Sequence, residues 1–190
     1  MTQTDLTVER VRHPLKMRVL TVARVERIAG LLARVTFRGE DLRDFVSASF
    51  DDHVKLFFPA DPSQPLALPE VGPDGIKFPE GAPRPAARDY TPRRFDAERE
   101  ELDIDFVLHG DGPASSWAEQ AQVGQRLGIG GPRGSFVVPK GFDWHVLIGD
   151  ETALPAIARR LEELPATAQA LGLIEVPGAG NEDPLPSPAR

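Results

Sequence analysis

The segment ARDYTPRRFD, residues 87–96, holds the only tyrosine of the chain and packs Arg88, Arg93 and Arg94 around it. In an extended strand, side chains at i and i+2 share a face, so Arg88 and Tyr90 project together and Thr91 sits at the edge of the same site. A flat ring, a hydroxyl and a cation suit a planar heteroaromatic ligand that carries a phosphate. The same residues equally describe a solvated, arginine-rich strand whose tyrosine packs on a barrel rim.

Two further stretches could receive an anion. In HGDGPASSWA, residues 109–118, Pro113 lies just inside a helix start with Asp111 or Gly112 as cap, and the small residues Gly112, Ala114, Ser115 and Ser116 let a phosphate approach free backbone N–H groups. An ordinary Gly-Pro helix start has the same composition. In GDETALPA, residues 149–156, the end of an apolar strand turns into a helix. Ligands of open α/β sheets bind beyond the carboxyl ends of strands, which places Asp150, Glu151, Thr152 and Ala153 beside a nucleotide site. No G-x-G-x-x-G accompanies them, so Thr152 is equally a plain helix cap.

Composition narrows the chemistry. Without cysteine the chain has no disulfides, thiolate nucleophiles or Cys-ligated clusters, so redox work would need a bound organic cofactor. The net charge of −7 argues against nucleic acid and anionic membranes as partners. No apolar run reaches membrane-spanning length or resembles a signal peptide, which makes a cytoplasmic protein the expectation. His13, His53, His109 and His145 are scattered without ligand spacing, so no protein-bound metal is expected.

The elements that must position these residues are mostly strands. MRVLTVARVERIAG alternates through Met17, Val19, Thr21, Ala23 and Val25, and LLARVTF through Leu31, Ala33, Val35 and Phe37, which predicts two strands joined at Gly30. DDHVKLFFP predicts a third, with Val54, Leu56 and Phe58 on one face and His53, Lys55 and Phe57 on the other. Residues 59–86 read as a Pro- and Gly-rich loop with a hairpin at Asp74-Gly75, and residues 87 onward enter a fourth strand. ELDIDFVLH predicts a fifth, with Leu102, Ile104, Phe106 and Leu108 inward and Glu101, Asp103 and Asp105 facing away; a sixth lies in QRLGIGGPRGSF.

After Phe142 the pattern changes to buried strand, helix and buried strand: HVLIG, then a stripe of Leu154, Ile157, Ala158, Leu161 and Leu164 ended by Pro165, then ALGLIEV. The expected architecture is mainly β: six antiparallel strands in a sandwich or small closed barrel over residues 1–142, followed by the beginning of an α/β nucleotide-binding unit over residues 143–190.

In their order, RDYTPR, HGDGPASSWA, GGPRGSF and GDETALPA resemble the siderophore-interacting proteins, FAD-dependent ferric-siderophore reductases of the ferredoxin-reductase-like superfamily. DDHVKLFFP and VERIAGLLARVTFRGEDLRDF also look like that family, so the resemblance covers most of the chain. A general flavin or ferredoxin reductase fits DHVKLFFP and GDETALP less well.

The resemblance implies a six-stranded antiparallel Greek-key barrel over residues 1–142 that holds a non-covalent FAD, and an incomplete α/β nicotinamide-nucleotide unit over residues 143–190. Arg88 would contact its phosphate, Tyr90 would lie on the isoalloxazine and Thr91 would stand near the reactive N5 as the catalytic hydroxyl. Val107, Leu108 and His109 would line the flavin, and Gly112, Pro113, Ala114, Ser115 and Ser116 would receive the pyrophosphate, with Trp117 packed beneath the helix. Asp150, Glu151, Thr152 and Ala153 would complete the nucleotide side. Lys55 and Arg133 would dock an anionic ferric siderophore, and NADPH or NADH would supply hydride to a monomeric enzyme. The nucleotide-binding unit stops after its second predicted strand, earlier than in the family. The resemblance therefore leaves a flavin-binding module without nicotinamide-linked catalysis as the alternative. That early end also predicts Leu147, Ile148, Leu161 and Leu173 partly uncovered, and a barrel that holds FAD by itself.

Overall fold

The fold is that of a computed structural model, which describes residues 5–28, 32–59, 61, 66–108, 110, 112–178 and 185–189. Gly30, proposed above as a turn, lies outside them, as do Leu31, His109 and Asp111. Along the chain run β1 (Glu9–Arg12), β2 (Met17–Ile28), β3 (Leu32–Arg38), β4 (Val54–Phe58), β5 (Glu70–Gly72), β6 (Gly75–Lys77), β7 (Ala86–Tyr90), β8 (Arg94–Asp96) and β9 (Glu101–Val107). Then follow α1 (Pro113–Glu119), β10 (Arg126–Gly130), β11 (Gly134–Val137), β12 (Trp144–Gly149), α2 (Leu154–Glu163) and β13 (Gln169–Ile174).

Seven strands form one curled sheet in the order β7-β4-β10-β2-β3-β9-β8, with every neighbouring pair antiparallel. All six expected strands are in it, and the three-residue β8 is an addition too short to carry a sequence period. The predicted sixth strand is two. β10 pairs with β2 and β4, whereas β11 leaves the sheet to pair with β1, an N-terminal strand that sequence reading missed. Gly134 permits that pairing, because a Cβ there would lie 2.5 Å from the Val11 carbonyl. The hairpin at Asp74-Gly75 is present as β5–β6, with Gly75 at φ +106° where only glycine sits without strain.

The inside of the curl is a continuous core of Leu20, Val22, Val35, Phe37, Val54, Leu56, Phe58, Leu102, Ile104, Phe106, Leu127 and Ile129. The inward face of β2 differs from its predicted alternation. Arg18, Leu20 and Val22 are buried instead of Met17, Val19 and Thr21, and a bulge between Val22 and Arg24 then resets the register so that Val25 packs on the core. Buried Arg18 obscures the pattern. Its guanidinium donates to Asp41 O at 2.9 Å and Gly131 O at 2.9 Å, pairs with Asp44 at 3.1 Å and lies over the Phe45 ring.

On β9, Asp103 and Asp105 face away from the core as predicted, yet both are buried. Arg34 on β3 grips Asp105 with two hydrogen bonds at 2.7 and 2.8 Å, and Thr36 donates to Asp103 at 2.6 Å, so the carboxylates are covered by charged and polar partners.

Beyond the barrel, β12 and β13 pair in parallel with α2 on one side, the β-α-β unit the sequence predicts. Ile157, Leu161, Leu164 and Ala168 are buried with Leu147, Ile174 and Leu185 against them. Leu161 is thus covered, contrary to expectation, while Ile148 and Leu173 are open. Neither strand is buried on both faces. Trp144, Val146, Ile148, Leu171 and Leu173 are exposed, because α2 shields only one side of the two-stranded sheet.

Three arginines fasten α2 to the barrel. Arg160, on the apolar stripe between Ile157 and Leu164, donates to the carbonyls of Val138 at 3.1 Å and Pro139 at 2.7 Å over the Phe50 ring. Arg159 donates to Ser47 Oγ, Ser47 O and Pro92 O at 2.7, 3.0 and 2.9 Å. From the barrel side, Arg93 makes a two-point pair with Glu162.

Candidate functional site

β7 lies at the edge of the sheet beside β4, with Tyr90 opposite Val54, Asp89 opposite Lys55 and Arg88 opposite Leu56. The strand ends at Tyr90, where Thr91 and Pro92 turn the chain toward β8. Here a cavity of about 330 Å³ opens between β7, the end of β9 and the start of α1. Arg88, Tyr90 and Thr91 line one side; Val107, Gly112, Pro113, Ala114 and Ser115 line the other; Thr152 and Pro155 close one end. Three motifs far apart in the chain thus meet at one concavity.

Tyr90 is half-buried. Its ring packs on Phe106 at 4.6 Å between centroids and edge-on to Phe58, and Trp117 of α1 completes the aromatic cluster with Phe37, Phe58 and Phe106. Burial pushes the Tyr90 phenol up, and the nearby Arg88 charge opposes that shift. The Arg88 guanidinium donates to Ala87 O at 2.8 Å and has no carboxylate partner among the described residues, so its charge is available to an anion. Ser115 Oγ is buried on the cavity wall with no hydrogen-bond partner. A buried hydroxyl left unpaired costs stability unless something polar reaches it. An orphan hydroxyl, an uncompensated guanidinium and an aromatic wall together fit a flat ring system joined to a phosphate chain.

The remaining predicted residues divide. Leu108 packs on the core and Ser116 donates its backbone N–H to Gly112 O, so neither lines the cavity. Asp150 stands behind Thr152, accepting from its hydroxyl at 2.6 Å and its amide at 2.9 Å, and these bonds hold the Asp150 carboxyl below the usual range. Ala153 packs against Gly149, and neither it nor Glu151 lines the cavity. Among the described residues no cluster of His, Asp or Glu could hold a metal ion, and no helix is long and apolar enough to cross a membrane.

Lys55 and Arg133 line a second cavity of about 230 Å³ with Met17, Phe57, Ile76 and Gly131. Gly131 has φ +94°, and that left-handed turn leads the chain to Arg133. Lys55 Nζ donates to Asp89 at 2.7 Å, so its charge is partly met across the strand pair. His53 and Asp89 line both cavities. Neither they nor Asp105, on the first cavity's wall, was picked out from the sequence. His53 shares a strand face with Lys55 and could have been found from that alternation; Asp89 needs the β4–β7 register and Asp105 the β3–β9 register.

Residues 21–136 match the siderophore-interacting FAD-binding domain, and residues 142–190 match the family described as siderophore-interacting protein. The chain belongs to the siderophore-interacting protein family. Within the family's range, a protein named NADPH-dependent ferric-chelate reductase from Escherichia coli (strain K12) is 49% identical over 168 residues, 88% of this chain and 65% of that protein. One named ferric vibriobactin reductase ViuB from Vibrio cholerae is 42% identical over 160 residues, 84% of this chain and 58% of that protein. The crystal structure of a siderophore utilization protein from T. fusca superposes with a TM-score of 0.87 at 45% identity, over 96% of this chain and 69% of the other. The chain thus spans under two thirds of the length of the curated relatives named here.

Proposed function

We propose that the chain binds FAD in the cavity of Arg88, Tyr90, Thr91 and Ser115, and that with it the protein reduces a ferric siderophore at the expense of NADPH. The observation that carries this reading is the shared wall: His53 and Asp89 border both the cavity that fits a flavin and the one that presents Lys55 and Arg133. An anionic chelate held there would neighbour a flavin in the first cavity across that wall.

Bound flavin supplies the conversion of a two-electron donor to one-electron delivery. The chain's residues do the holding. Arg88 meets a phosphate as a fixed cation, and Ser115 Oγ gains the partner it lacks. Tyr90 would offer its ring to the isoalloxazine, and the Thr91 hydroxyl, able to donate or accept, would serve the ring nitrogen that changes its protonation. Thr152, oriented by Asp150, closes the nucleotide end. Lys55 and Arg133 attract the chelate against the net negative charge of the chain. Hard oxygen ligands hold Fe(II) less tightly than Fe(III), which favours release after reduction.

Residues 1–142 form the flavin unit in this reading and residues 143–190 begin the nicotinamide-nucleotide unit, in a monomeric cytoplasmic protein. The test is anaerobic. The FAD-loaded chain is reduced with dithionite and mixed with a ferric siderophore in stopped flow; reoxidation faster than that of free reduced FAD at the same concentration is expected. Equal rates, or failure to take up FAD, overturn the reading. NADPH and NADH as alternative reductants distinguish the donors.

A further inference from the structure

The segment that follows Thr91 is held by α2. Arg159 donates to the Pro92 carbonyl at 2.9 Å, and its other bonds, to Ser47 of the barrel and Glu163 of its own helix, fix its direction. Arg93 is buried, its amide donates to Asp103 O at 2.9 Å, and its guanidinium is gripped by both oxygens of Glu162. The third side of that guanidinium faces the cavity wall: Nε has no hydrogen-bond partner and lies 3.7 Å from Asp105, the buried carboxylate that lines the cavity with Thr91. Arg34, Asp105, Arg93 and Glu162 therefore form an alternating chain of charges running from the cavity to α2.

We propose that Glu162 and Arg159 of α2 are positioning residues for the flavin cavity: they fix Thr91 through Pro92 and Arg93, and set the net charge on the Asp105 wall. This rests on the flavin reading above and deepens it, since α2 belongs to the unit otherwise assigned to the nicotinamide nucleotide. The physical argument is compensation. With Glu162 neutral, Arg93 is a buried cation left to Asp105 alone, and one positive charge is gained beside the cavity. A cation near a flavin favours its reduced, more negative state, so the midpoint potential moves upward. Loss of the Arg159 fork acts differently, freeing the Pro92 carbonyl and loosening Thr91 with the charge count unchanged.

The full chain and its Glu162→Gln and Arg159→Lys variants are titrated with FAD, their bound-flavin midpoint potentials are measured, and the melting temperatures of the FAD-free chains are recorded. Both variants are expected to bind FAD about tenfold more weakly, and only Glu162→Gln to shift the potential, toward more positive values. If Glu162→Gln also lowers the FAD-free melting temperature, Arg159→Lys, which keeps the charge on α2, carries the affinity test. A parental chain that binds FAD, with both variants at parental affinity and potential, overturns this inference alone, as does a change confined to melting temperature. A parental chain that takes up no FAD overturns the flavin reading and this inference with it.

Discussion

Tyr90 and Ser115 approach the same cavity in different states: the ring is already packed on Phe106, while the hydroxyl is buried without a partner. Their removal should read differently. Tyr90→Ala strips aromatic contact and is expected to weaken FAD binding by about 1–3 kcal/mol. Ser115→Ala removes an unpaired hydroxyl, so the FAD-free chain should melt no lower than the parent while FAD binds more weakly. Isothermal titration and melting curves on the two variants check both; unchanged FAD affinity in Tyr90→Ala would falsify the proposed contact of Tyr90 with the flavin. At the second cavity, Lys55→Ala and Arg133→Ala should raise the apparent KM for ferric siderophore and flatten its ionic-strength dependence, with FAD affinity unchanged. Because Asp89 partly meets Lys55, Asp89→Asn should lower that KM. Parental kinetics and salt response in both lysine and arginine variants would mark them as surface charge. Arg88, Tyr90 and Thr91 were legible because one short strand concentrates unusual residue types. Asp89 and Asp105 were not, since each becomes part of the site only through a pairing with a residue 34 or 71 positions away.

Single elements were readable where their period was simple, as in β3, β4 and the α2 stripe. β2 was misread because a charge is buried in it. Arg18 lies on its inward face, as Arg160 does on the α2 stripe, and each is accommodated by backbone carbonyls that no periodicity reveals. Arg160 also bears on the titration of β12. His145 is buried, and desolvation with the adjacent Arg160 charge lowers its pKa below the ordinary histidine value. With the folded pKa below the unfolded one, the unfolded chain binds the extra proton first. Stability is therefore full above the unfolded value of about 6.5 and falls as pH drops below it. Melting temperatures from pH 7.5 down to 5.5 should decline in the parent and decline less in His145→Gln. An identical slope in the variant would remove His145 as the cause.

Across the whole molecule, the change in sequence grammar at residue 142 does not bound the proposed flavin cavity, since Thr152 and Pro155 line it from beyond that point. The two units share that wall and the arginine fastenings of α2. The outer face of the β12–β13 sheet is a separate matter: Trp144, Val146, Ile148, Leu171 and Leu173 make an apolar surface of the kind that promotes association. In a protein that works as a monomer, such a face drives only non-specific association of the 190-residue chain at high concentration. Val146→Thr with Ile148→Lys should reduce it, measured by light scattering, and leave FAD affinity at the parental value. Persistent association in that variant would point to another surface.

The β5–β6 hairpin reaches the second cavity through Ile76, while the rest of β5 and β6 lies exposed and pairs only with itself. Exposed loops tolerate replacement and insertion at little thermodynamic cost. The wall of the cavity that presents Lys55 and Arg133 can therefore diversify in size and chemistry, while Tyr90 and Ala114 on the wall of the first cavity remain tied to the barrel core. Under the proposed function, selection or a designer can exchange this hairpin to alter which chelate that cavity accepts without rebuilding the proposed flavin cavity beside it.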